Sequence, residues 1–472
     1  MKEAQSLAVK RAEVEFHNFA SLGEPERAIA HYAEENLRRG GLIAKHRAFI
    51  GEMTPFLEIG ANAGHTSYML ANQFGASGFA LDISADSLRY GIALQDRWGF
   101  SRAPIRIAGD ALHLPFADSS LRLVMAFQLL SQFMDIESVF VEVKRVLAPG
   151  GIFLFAEEPM KRLLTLGIYR CPYYDTMKPW ERKLSDWGLL GYLVRDVIGA
   201  HQEESFGIRQ NHSMGLKDWH RLIHKHFAAA DYDIFVQGRG WGERLAKRVA
   251  VQLDPYRSEW RAARLLGGTL AAVCRKSGDP VPAPFDETEF QTLLRCPDCH
   301  QPFEREADGT LRCTACNNRI PNEGGVYNLL PSREREELYP GDREDVIDFC
   351  VPGHAQRLLE DWYELEGVFG NKYRWIGEHA AARLARVKPG PQRLRIRGHA
   401  SPHHPVQLSA NANGQKVGEW KLDRSGLFIV EADLPDGDEY RIDIYAGPAW
   451  MDAADDRTFT VNLSMIRLVP RE

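Results

Sequence analysis

The sequence predicts an α/β domain built on a parallel sheet, followed by a small cysteine-bearing unit and an all-β module. From Phe56 to Lys276, short apolar runs alternate with longer mixed stretches, which is the rhythm of strands and helices in such a sheet. Two Cys-x2-Cys pairs follow a proline-containing stretch, and from Arg393 onward apolar and polar residues alternate with a period of two. The 472 residues exceed one compact domain, since about 150 residues per domain is usual.

Composition and charge are those of an ordinary folded protein. Hydrophobic residues make up 44% and charged residues 26% of the chain, which excludes a disordered or collagenous protein. The 58 Lys and Arg against 64 Asp and Glu give a net charge of -6, so no nucleic-acid partner is expected.

The opening residues, MKEAQSLAVKRAEVEF, carry charges where a signal peptide has an apolar run. The apolar stretch from Leu123 to Met134 is shorter than the ~18 residues of a membrane span. Seven cysteines, an odd number, suit a reducing compartment, so we expect a cytoplasmic protein.

Changes in this pattern divide the chain into three predicted domains. Residues 1–276 form the first, with a helical amino terminus and an insertion at about 160–211. Residues 277–288 are the predicted linker, because the stretch SGDPVPAPFDETEF holds three prolines and little apolar periodicity. The cysteine-bearing unit, 289–331, is too small to bury much apolar core, so its fold needs a stabilising cross-link. The all-β module covers residues 355–472.

A cofactor site is predicted near the start of the first domain. The segment LEIGANAGHTSYMLA gives a strand that includes Glu58, a loop with Gly60 and Gly64, and then a helix. Glycines let a backbone turn sharply and approach a ligand closely, although such loops are also common without one. The next strand ends near Asp82, eighteen residues after Gly64, where an acid can accept ribose hydroxyls. Together the two signals favour a cofactor that contains a nucleoside.

Two further signals narrow the choice of family. Asp110 follows the third strand directly, and a Pro149-Gly150-Gly151 turn precedes a buried strand. This order resembles the class I S-adenosylmethionine-dependent methyltransferases of the ubiquinone and menaquinone C-methyltransferase-like group, over roughly residues 40–276. The resemblance implies a Rossmann-like, seven-stranded sheet and S-adenosylmethionine as cofactor. The alternatives are a domain whose cofactor site has decayed and a dinucleotide dehydrogenase, whose fingerprint gives Asp110 and the Pro-Gly-Gly turn no role.

The resemblance also assigns a role to each position of the motif. Glu58, Gly60 and Gly64 form the cofactor loop, and Asp82 binds the ribose diol. Asn62 stands where many relatives have the middle glycine, a small departure because Asn tolerates a positive φ better than most residues. The remaining implied contacts are the adenine edge, at Asp110 and Ala111, and the methionine end, at Gln128.

Two residues are candidate general bases. Glu157, with its neighbour Glu158, ends the strand GIFLFAEE at the edge of the sheet where ligands bind. His212 lies just before the predicted helix GLKDWHRLIHKHF, in a position where a histidine recurs in similar methyltransferases. The alternatives are that the Glu pair caps a helix or pairs with Arg or Lys, and that the histidine is a surface residue. The aromatic-rich insertion at 160–211 is either a lid that forms the acceptor pocket or a subdomain with its own core.

The cysteine spacing predicts a structural zinc site. Cys296-x2-Cys299 and Cys313-x2-Cys316 are separated by thirteen residues, and two such knuckles complete the four-thiolate shell that structural zinc prefers. With all four positions taken by protein, zinc would supply folding free energy rather than catalysis. The segment resembles the small zinc-ribbon activator of tRNA, rRNA and release-factor methyltransferases, and also short bacterial proteins with the same Leu-Leu-x-Cys-Pro-x-Cys opening.

The carboxy-terminal module is predicted to be all-β. Asn413-Gly414 is a hairpin signal. The segments WYELE (362–366), YRWI (373–376) and DDR (455–457) resemble β-sandwich accessory modules of bacterial glycosyltransferases and of other enzymes of capsule and O-antigen assembly. By that analogy the module docks beside such enzymes or binds glycan-linked acceptors. Its tryptophans are either core residues or sugar platforms.

The leading hypothesis from the sequence is a methyltransferase that acts, by O-methylation, on a small-molecule or glycan-linked acceptor in bacterial surface-polysaccharide biosynthesis. Other polysaccharide-assembly enzymes are then the expected partners. A second hypothesis is an RNA or protein methyltransferase with a built-in zinc-ribbon activator, which the acidic net charge disfavours. A third is a non-catalytic scaffold with a methyltransferase fold.

Overall fold

The computed structural model describes most of the chain in two compact units. The described residues up to Ser332 form the first unit, and those from Arg333 onward form the second. Most of the predicted insertion at 160–211, and His212, lie outside the described residues. The described residues are Lys10, Val14, 25–133, 135–160, 214–235, 268–280, 285–339, Gly341, 343–349, 353–368, 371–400, 405–423, 426–451 and 455–471.

The first unit is built on a mixed sheet with a Rossmann-like core. Strands β1 to β5 run parallel, and β7 pairs antiparallel with β5 and β6. The sheet order is β3-β2-β1-β4-β5-β7-β6, extended at the β3 edge by two short strands described below. These seven strands confirm the predicted α/β fold. Their bounds are β1 Phe56–Ile59, β2 Gly78–Asp82, β3 Ile105–Ala108, β4 Leu121–Phe127, β5 Leu147–Met160, β6 Ala229–Phe235 and β7 Gly268–Arg275.

Helices cover the sheet, and short polar residues mark where several of them begin. Ser84 accepts a hydrogen bond from Ser87 N, and Asp135 accepts one from Ser138 N, so each caps the helix that follows it. None of the helices in the described part of the chain combines the length and apolar composition needed to cross a membrane. Within the described residues of the first unit, the helices are α1 Pro25–Lys45, α2 Arg47–Ile50, α3 His65–Gln73, α4 Ala85–Trp98, α5 Ile136–Val146 and α6 Leu216–His226.

Strand β1 shows how the sheet buries both of its faces. Leu57 and Ile59 pack into one apolar cluster, and Phe56 packs into a second cluster. All four residues of β1 are buried. A central parallel strand is covered by layers on both sides, which is why its sequence reads as continuously apolar except for Glu58.

The cysteine-bearing segment extends this sheet. Strands β8 (Phe303–Arg305), β9 (Leu311–Cys313) and β10 (Arg319–Ile320) form a small antiparallel sheet. The chain then forms a short hairpin of β11 (Asn322–Glu323) and β12 (Val326–Asn328).

Strand β12 pairs parallel with β3, so the sheet has nine strands rather than the predicted seven. The physical reason is that β3 would otherwise be an open edge with unpaired backbone groups, which β12 covers. The cysteine-bearing segment therefore belongs to the same compact unit as the sheet.

The described part of the predicted linker is packed against the first unit. Phe285 and Phe290 both lie edge-on to Phe79 of β2, with ring centroids 5.6 and 6.4 Å away. A 3-10 helix, Glu287–Leu293, follows Asp286, whose carboxylate accepts from Thr288 N. Apolar side chains in this stretch make it part of the core rather than a free tether.

The second unit is all-β, as the sequence predicts. Nine strands form one sheet in the order β18-β17-β20-β15-β23-β16-β19, with β13 paired to β23 and β14 paired to β15. The strands are β13 Val346–Asp348, β14 Leu358–Val368, β15 Asn371–Ala385, β16 Gln392–Ala400, β17 Val406–Ala412, β18 Gln415–Leu422, β19 Gly426–Asp433, β20 Glu439–Gly447 and β23 Val461–Pro470. A separate two-stranded sheet consists of β21 (Trp450–Met451) and β22 (Thr458–Phe459), and a helix, α7 (Ser332–Leu338), begins at the boundary between the units.

This architecture corrects the predicted two-sheet sandwich. The end strands β18 and β19 come together, and a Cβ placed on Gly418 would lie 3.1 Å from Cβ of Ala432. A strongly twisted sheet of this size can curl on itself, so that one inner face forms the core. The predicted hairpin at Asn413 and Gly414 is present, with φ values of 50° and 81° that match a type I′ turn.

Candidate active site

The loop after β1 has the backbone that the glycine motif predicts. Gly60, Asn62 and Gly64 have φ values of 67°, 51° and 73°, all in the left-handed region. Gly64 N donates to Ala61 O at 2.7 Å, and α3 begins at the next residue. Asn62 therefore takes a left-handed conformation that glycine adopts most readily, at modest steric cost.

Of the two glycines of this loop, Gly60 has less room for a side chain than Gly64. A Cβ there would lie 2.6 Å from Cδ1 of Leu129, whereas a Cβ at Gly64 would meet Ala80 at an ordinary 3.5 Å. We expect Gly60→Ala to lower the free energy of unfolding by about 2–4 kcal/mol, since left-handed strain and overlap add. Gly51→Ala is the matched control, because Gly51 has a φ of 71° and nothing within 4 Å. Urea titrations that give equal losses for both variants would contradict the packing argument.

Asp82 ties this loop to the next turn of the chain. Its Oδ2 accepts from Asn62 N at 2.7 Å, and its Oδ1 accepts from Ser84 N at 2.8 Å. The side chain is buried at the carboxyl end of β2. A carboxylate offers about four acceptor positions, so Asp82 keeps the capacity to accept ribose hydroxyls.

Glu58 is the third of the four residues of β1, just before the loop. Ser67 Oγ donates to its Oε2 at 2.5 Å, and burial raises the pKa of Glu58 to about 7. Gln128 follows β4 with a φ of 53°, and its backbone N donates to Ala156 O at 2.9 Å. Both residues are thus placed at the carboxyl ends of neighbouring strands, where ligands of open α/β sheets bind.

Asp110 follows β3 and is buried, as is Ala111 beside it. Lys10 Nζ lies 2.8 Å from Asp110 Oδ2, Leu112 N donates to Oδ1 at 2.9 Å, and His113 Nδ1 lies 3.1 Å from Oδ2. Burial raises the pKa of Asp110, but His113 and Lys10 outweigh it and hold the pKa below its usual value. The carboxylate is therefore ionised at neutral pH.

The described site residues lie where the parallel strands of the first sheet have their carboxyl ends. Strand β1 pairs with β2 and β4, and β2 pairs with β3, so the loops after these strands are neighbours. A cofactor with a nucleoside end suits this site for three reasons. The loop is left-handed, Gly60 has no space for a side chain, and three carboxyl side chains are buried around it. The individual cofactor contacts stay predictions.

Comparison with known proteins supports this interpretation. A family model described as "Methyltransferase domain" matches residues 57–155, which span the loop and all of these carboxylates. This stretch is a class I methyltransferase domain. The match covers about a fifth of the 472 residues.

The curated relatives are methyltransferases that match over part of their length. Demethylmenaquinone methyltransferase of Thermobifida fusca is 33% identical over 147 residues, which are 30% of this chain and 60% of that protein. Malonyl-[acyl-carrier protein] O-methyltransferase of Geobacter sulfurreducens is 31% identical over 107 residues, 22% of this chain and 39% of that protein. Among solved structures, the crystal structure titled "a putative sarcosine dimethylglycine methyltransferase from Galdieria sulphuraria" aligns with 18% identity and a TM-score of 0.33. The alignment covers 51% of this chain and 86% of that one.

Glu157 and Glu158 have the structural partners that the alternative interpretation expects, namely arginines for one and a helix start for the other. Arg38 and Arg39 contact the two carboxylate oxygens of Glu157 at 2.8 and 2.9 Å. Glu158 is fully buried and accepts from three backbone N–H groups, so it caps the short 3-10 turn Leu130–Gln132 of the methyltransferase domain. To act as a base, Glu157 would have to give up these ion pairs.

A buried polar network beside the cofactor loop was missed by sequence reasoning. His65 Nε2 lies 2.8 Å from Glu35 Oε2, and its ring stacks on Tyr32 with centroids 4.3 Å apart. Arg39 donates to Thr66 Oγ1 at 2.9 Å and lies over the ring of Phe127. The available signals were a Gly-His-Thr helix start and an Arg-Arg pair within an amphipathic helix.

The network sets the charge of Glu35 and gives a pH prediction. Burial raises the pKa of Glu35, but His65 and Arg39 outweigh it and lower the pKa to about 2. Relative to an ordinary 4.5, that shift corresponds to stability of the order of 3 kcal/mol. This contribution is complete above pH 4.5 and is lost as the pH falls toward 2.

We therefore expect Glu35→Gln to destabilise the protein by about 3 kcal/mol at pH 7 and by about 1.4 kcal/mol less at pH 3.5. Urea unfolding of both chains at the two pH values is the measurement. Glu34→Gln, on the exposed side of the same helix, is the control and should change the free energy of unfolding at pH 7 by much less than Glu35→Gln. A difference that stays constant between pH 7 and pH 3.5 would argue against the ion pairs.

The four predicted cysteine ligands come together in the first unit. The Sγ atoms of Cys299 and Cys313 are 3.3 Å apart, those of Cys299 and Cys316 3.5 Å, and those of Cys296 and Cys316 3.6 Å. All four sulfurs lie within 4.8 Å of one another. Tetrahedral zinc with Zn–S bonds of about 2.3 Å places sulfurs roughly 3.8 Å apart, so the cluster fits a four-thiolate site.

Proposed function

We propose that this chain transfers a methyl group from S-adenosylmethionine to a small-molecule or glycan-linked acceptor. The observation that carries the proposal is the set of Glu58, Asp82 and Asp110 around a left-handed glycine loop, at neighbouring strand ends of a methyltransferase domain. Demethylmenaquinone methyltransferase and malonyl-[acyl-carrier protein] O-methyltransferase, among the matched relatives, are named for acceptors other than RNA.

The proposed mechanism relies mainly on positioning. The bound cofactor would supply an electrophilic methyl group on its sulfonium sulfur. Asp82 would accept the ribose hydroxyls, while Asp110 and the backbone of Ala111 would read the adenine edge. Holding an acceptor in line with the methyl group can contribute up to about 7–11 kcal/mol. A hydroxyl acceptor also needs a base, and we retain His212 as the candidate because Glu157 is already held by two arginines.

The finer assignment is O-methylation in bacterial surface-polysaccharide biosynthesis, in the cytoplasm and alongside other polysaccharide-assembly enzymes. Its support is the resemblance of the carboxy-terminal segments to glycosyltransferase-associated modules and the O-methyltransferase among the matched relatives. The net charge of -6 supports an acceptor other than nucleic acid.

Transfer of a labelled methyl group tests the function. Cell extract is incubated with the chain and radioactive S-adenosylmethionine, then separated into small-molecule, glycan, protein and RNA fractions. Label in the small-molecule or glycan fraction is the expected result. Label in RNA or protein would favour the built-in-activator alternative, and no turnover would favour the scaffold.

We also propose that the four cysteines hold one structural Zn²⁺ in a ribbon-like unit. Cys296, Cys299, Cys313 and Cys316 would fill all of its coordination positions, leaving none for a substrate. Because this unit has a small core, metal binding would supply part of its folding free energy.

A further inference from the structure

An aromatic surface forms on the second unit from segments that are distant in the sequence. We name it the aromatic face and define it by Tyr363, Tyr373, Trp375, Trp450 and Phe459. The Trp375 ring lies 6.2 Å from Tyr373, 6.0 Å from Trp450 and 5.3 Å from Phe459, all in edge-on geometry. These residues come from β14, β15, β21 and β22.

The aromatic face lies outside the core of the curled sheet. Along β15, Ile376 and Ala380 are fully buried in the apolar cluster of this unit. Side chains alternate along a strand, so Tyr373, Trp375 and Gly377 point to the opposite side. Tyr373 and Trp375 are only partly buried, as are Tyr363 and Trp450 of the same face, whereas Phe459 is buried and supports them.

A charged group borders these rings and is held in a fixed orientation. The Arg457 guanidinium lies 5.3 Å from the Tyr363 ring centroid and 4.9 Å from that of Phe459. Asp455 holds it at 2.7 Å and Glu366 at 3.0 Å. Each of the three charged side chains is about a third exposed, with 36%, 31% and 33% for Arg457, Asp455 and Glu366.

Hydrogen bonds anchor the Tyr363 ring and the β15 backbone at Gly377. Tyr363 Oη donates to Thr458 O at 2.9 Å, and Thr460 Oγ1 donates to Gly377 O at 2.6 Å. Tyr363 crosses over Gly377, where a Cβ would come within 3.3 Å of its hydroxyl oxygen. A face organised before binding loses little conformational entropy when a ligand arrives.

We propose that the aromatic face binds the sugar rings of an uncharged glycan. A pyranose ring presents a face of C–H groups, which packs on aromatic rings, and an edge of hydroxyls, which pair with carboxylate and guanidinium groups. An apolar protein segment would instead remove the hydration of Arg457, Asp455 and Glu366 without offering them partners.

The charges also select among glycans. Arg457 is already paired with two carboxylates, so a sugar acid would meet a surplus of negative charge. A second group on the same side extends the face along β15. There His379 contacts Asp361 and Asp443 at 2.7 and 3.2 Å, and its ring lies 4.9 Å from that of Tyr445. Four residues of strand separate Trp375 from His379, about 13 Å, so the ligand class is an oligosaccharide rather than a single sugar.

Affinity electrophoresis of the full chain in gels that contain dextran, mannan or galactomannan tests the proposal. We expect at least one of these neutral polymers to retard the protein, and Trp375→Ala to weaken the interaction at least about tenfold. Trp98→Ala, at a partly buried tryptophan of the first unit, is the control and should migrate as the unchanged protein does. Trp375→Phe keeps a ring and should retain part of the retardation.

Three outcomes would overturn the proposal. They are no retardation by any neutral polymer, equal effects of Trp375→Ala and Trp98→Ala, and stronger retardation by the polyanion alginate than by the neutral polymers. Affinity for S-adenosylhomocysteine should be the same with Trp375→Ala, so failure here and failure of the proposed methyl transfer are distinguishable.

Discussion

A chain that carries Cys296→Ser and Cys313→Ser is expected to lose its metal and to bind S-adenosylhomocysteine at least about tenfold more weakly. The double change removes one thiolate from each knuckle of the cluster. Zinc contributes about 10–16 kcal/mol to the folding of small zinc-finger peptides. The small sheet β8–β10 would lose that contribution, and it has few buried side chains with which to replace it.

The effect should reach the cofactor site because the cysteine-bearing segment is bonded to the loop after Asp110. The segment contacts this loop and the end of β3 through three backbone hydrogen bonds of 2.8–2.9 Å. They are Arg295 N to Pro115 O, Ala117 N to Leu293 O, and Leu329 N to Ala108 O. Local unfolding of the segment would release this loop on both of its sides, at Ala108 and at Pro115 and Ala117.

Metal analysis and calorimetry with S-adenosylhomocysteine measure the two losses. Cys274→Ala is the matched control, since Cys274 is a buried thiol in β7 and is not one of the four clustered cysteines. Stoichiometric zinc in the double variant would show that the ligand assignment is wrong. Loss of zinc with unchanged cofactor affinity would show that the segment folds independently of the site.

Asp82→Ala is expected to weaken S-adenosylhomocysteine binding about a hundredfold or more. The carboxylate accepts from Asn62 N and Ser84 N in addition to its proposed ribose contacts. Hydrogen bonds to a charged group contribute about 1.5–3 kcal/mol each. The loss of two such bonds to the ribose hydroxyls therefore corresponds to about a hundredfold or more in affinity. Without the carboxylate, the left-handed loop also loses the contact that fixes Asn62.

Asp96→Ala provides the control for the loss of one negative charge. Asp96 is an exposed residue near the end of α4, fourteen residues further along the chain. Calorimetry should give equal affinities for this variant and the unchanged chain. Equal affinities for Asp82→Ala as well would rule out the proposed ribose site.

Much of the fold and of the cofactor loop could be predicted because the signals are local. Alternation of apolar runs marks β1 to β5, and the spacing from Gly64 to Asp82 places an acid at the next strand end. The left-handed φ of Asn62 follows from its own chemistry. The paired Cys-x2-Cys knuckles likewise indicate a four-thiolate cluster through their spacing alone.

Other parts of the site depend on contacts between distant segments. Glu35 lies thirty residues before His65, and no periodicity indicates that their side chains meet at 2.8 Å. Glu157 had the position expected of a base, yet its pairing with Arg38 and Arg39 depends on how α1 packs beside β5. Such pairings result from helix placement, which many weak apolar contacts decide together.

The sequence alone therefore determined the α/β class, the glycine and acid motif of the methyltransferase domain, the four-cysteine set and the all-β character of the second unit. Only the tertiary structure decided that β12 pairs with β3, and that the second unit has one curled sheet instead of two packed sheets. It also decided that Trp375 and Trp450 share a surface. The physical reason is that dihedral preferences and hydrophobic periods act over a few residues. Edge pairing, sheet curvature and clustering depend instead on which surfaces remain to be buried once those elements have formed.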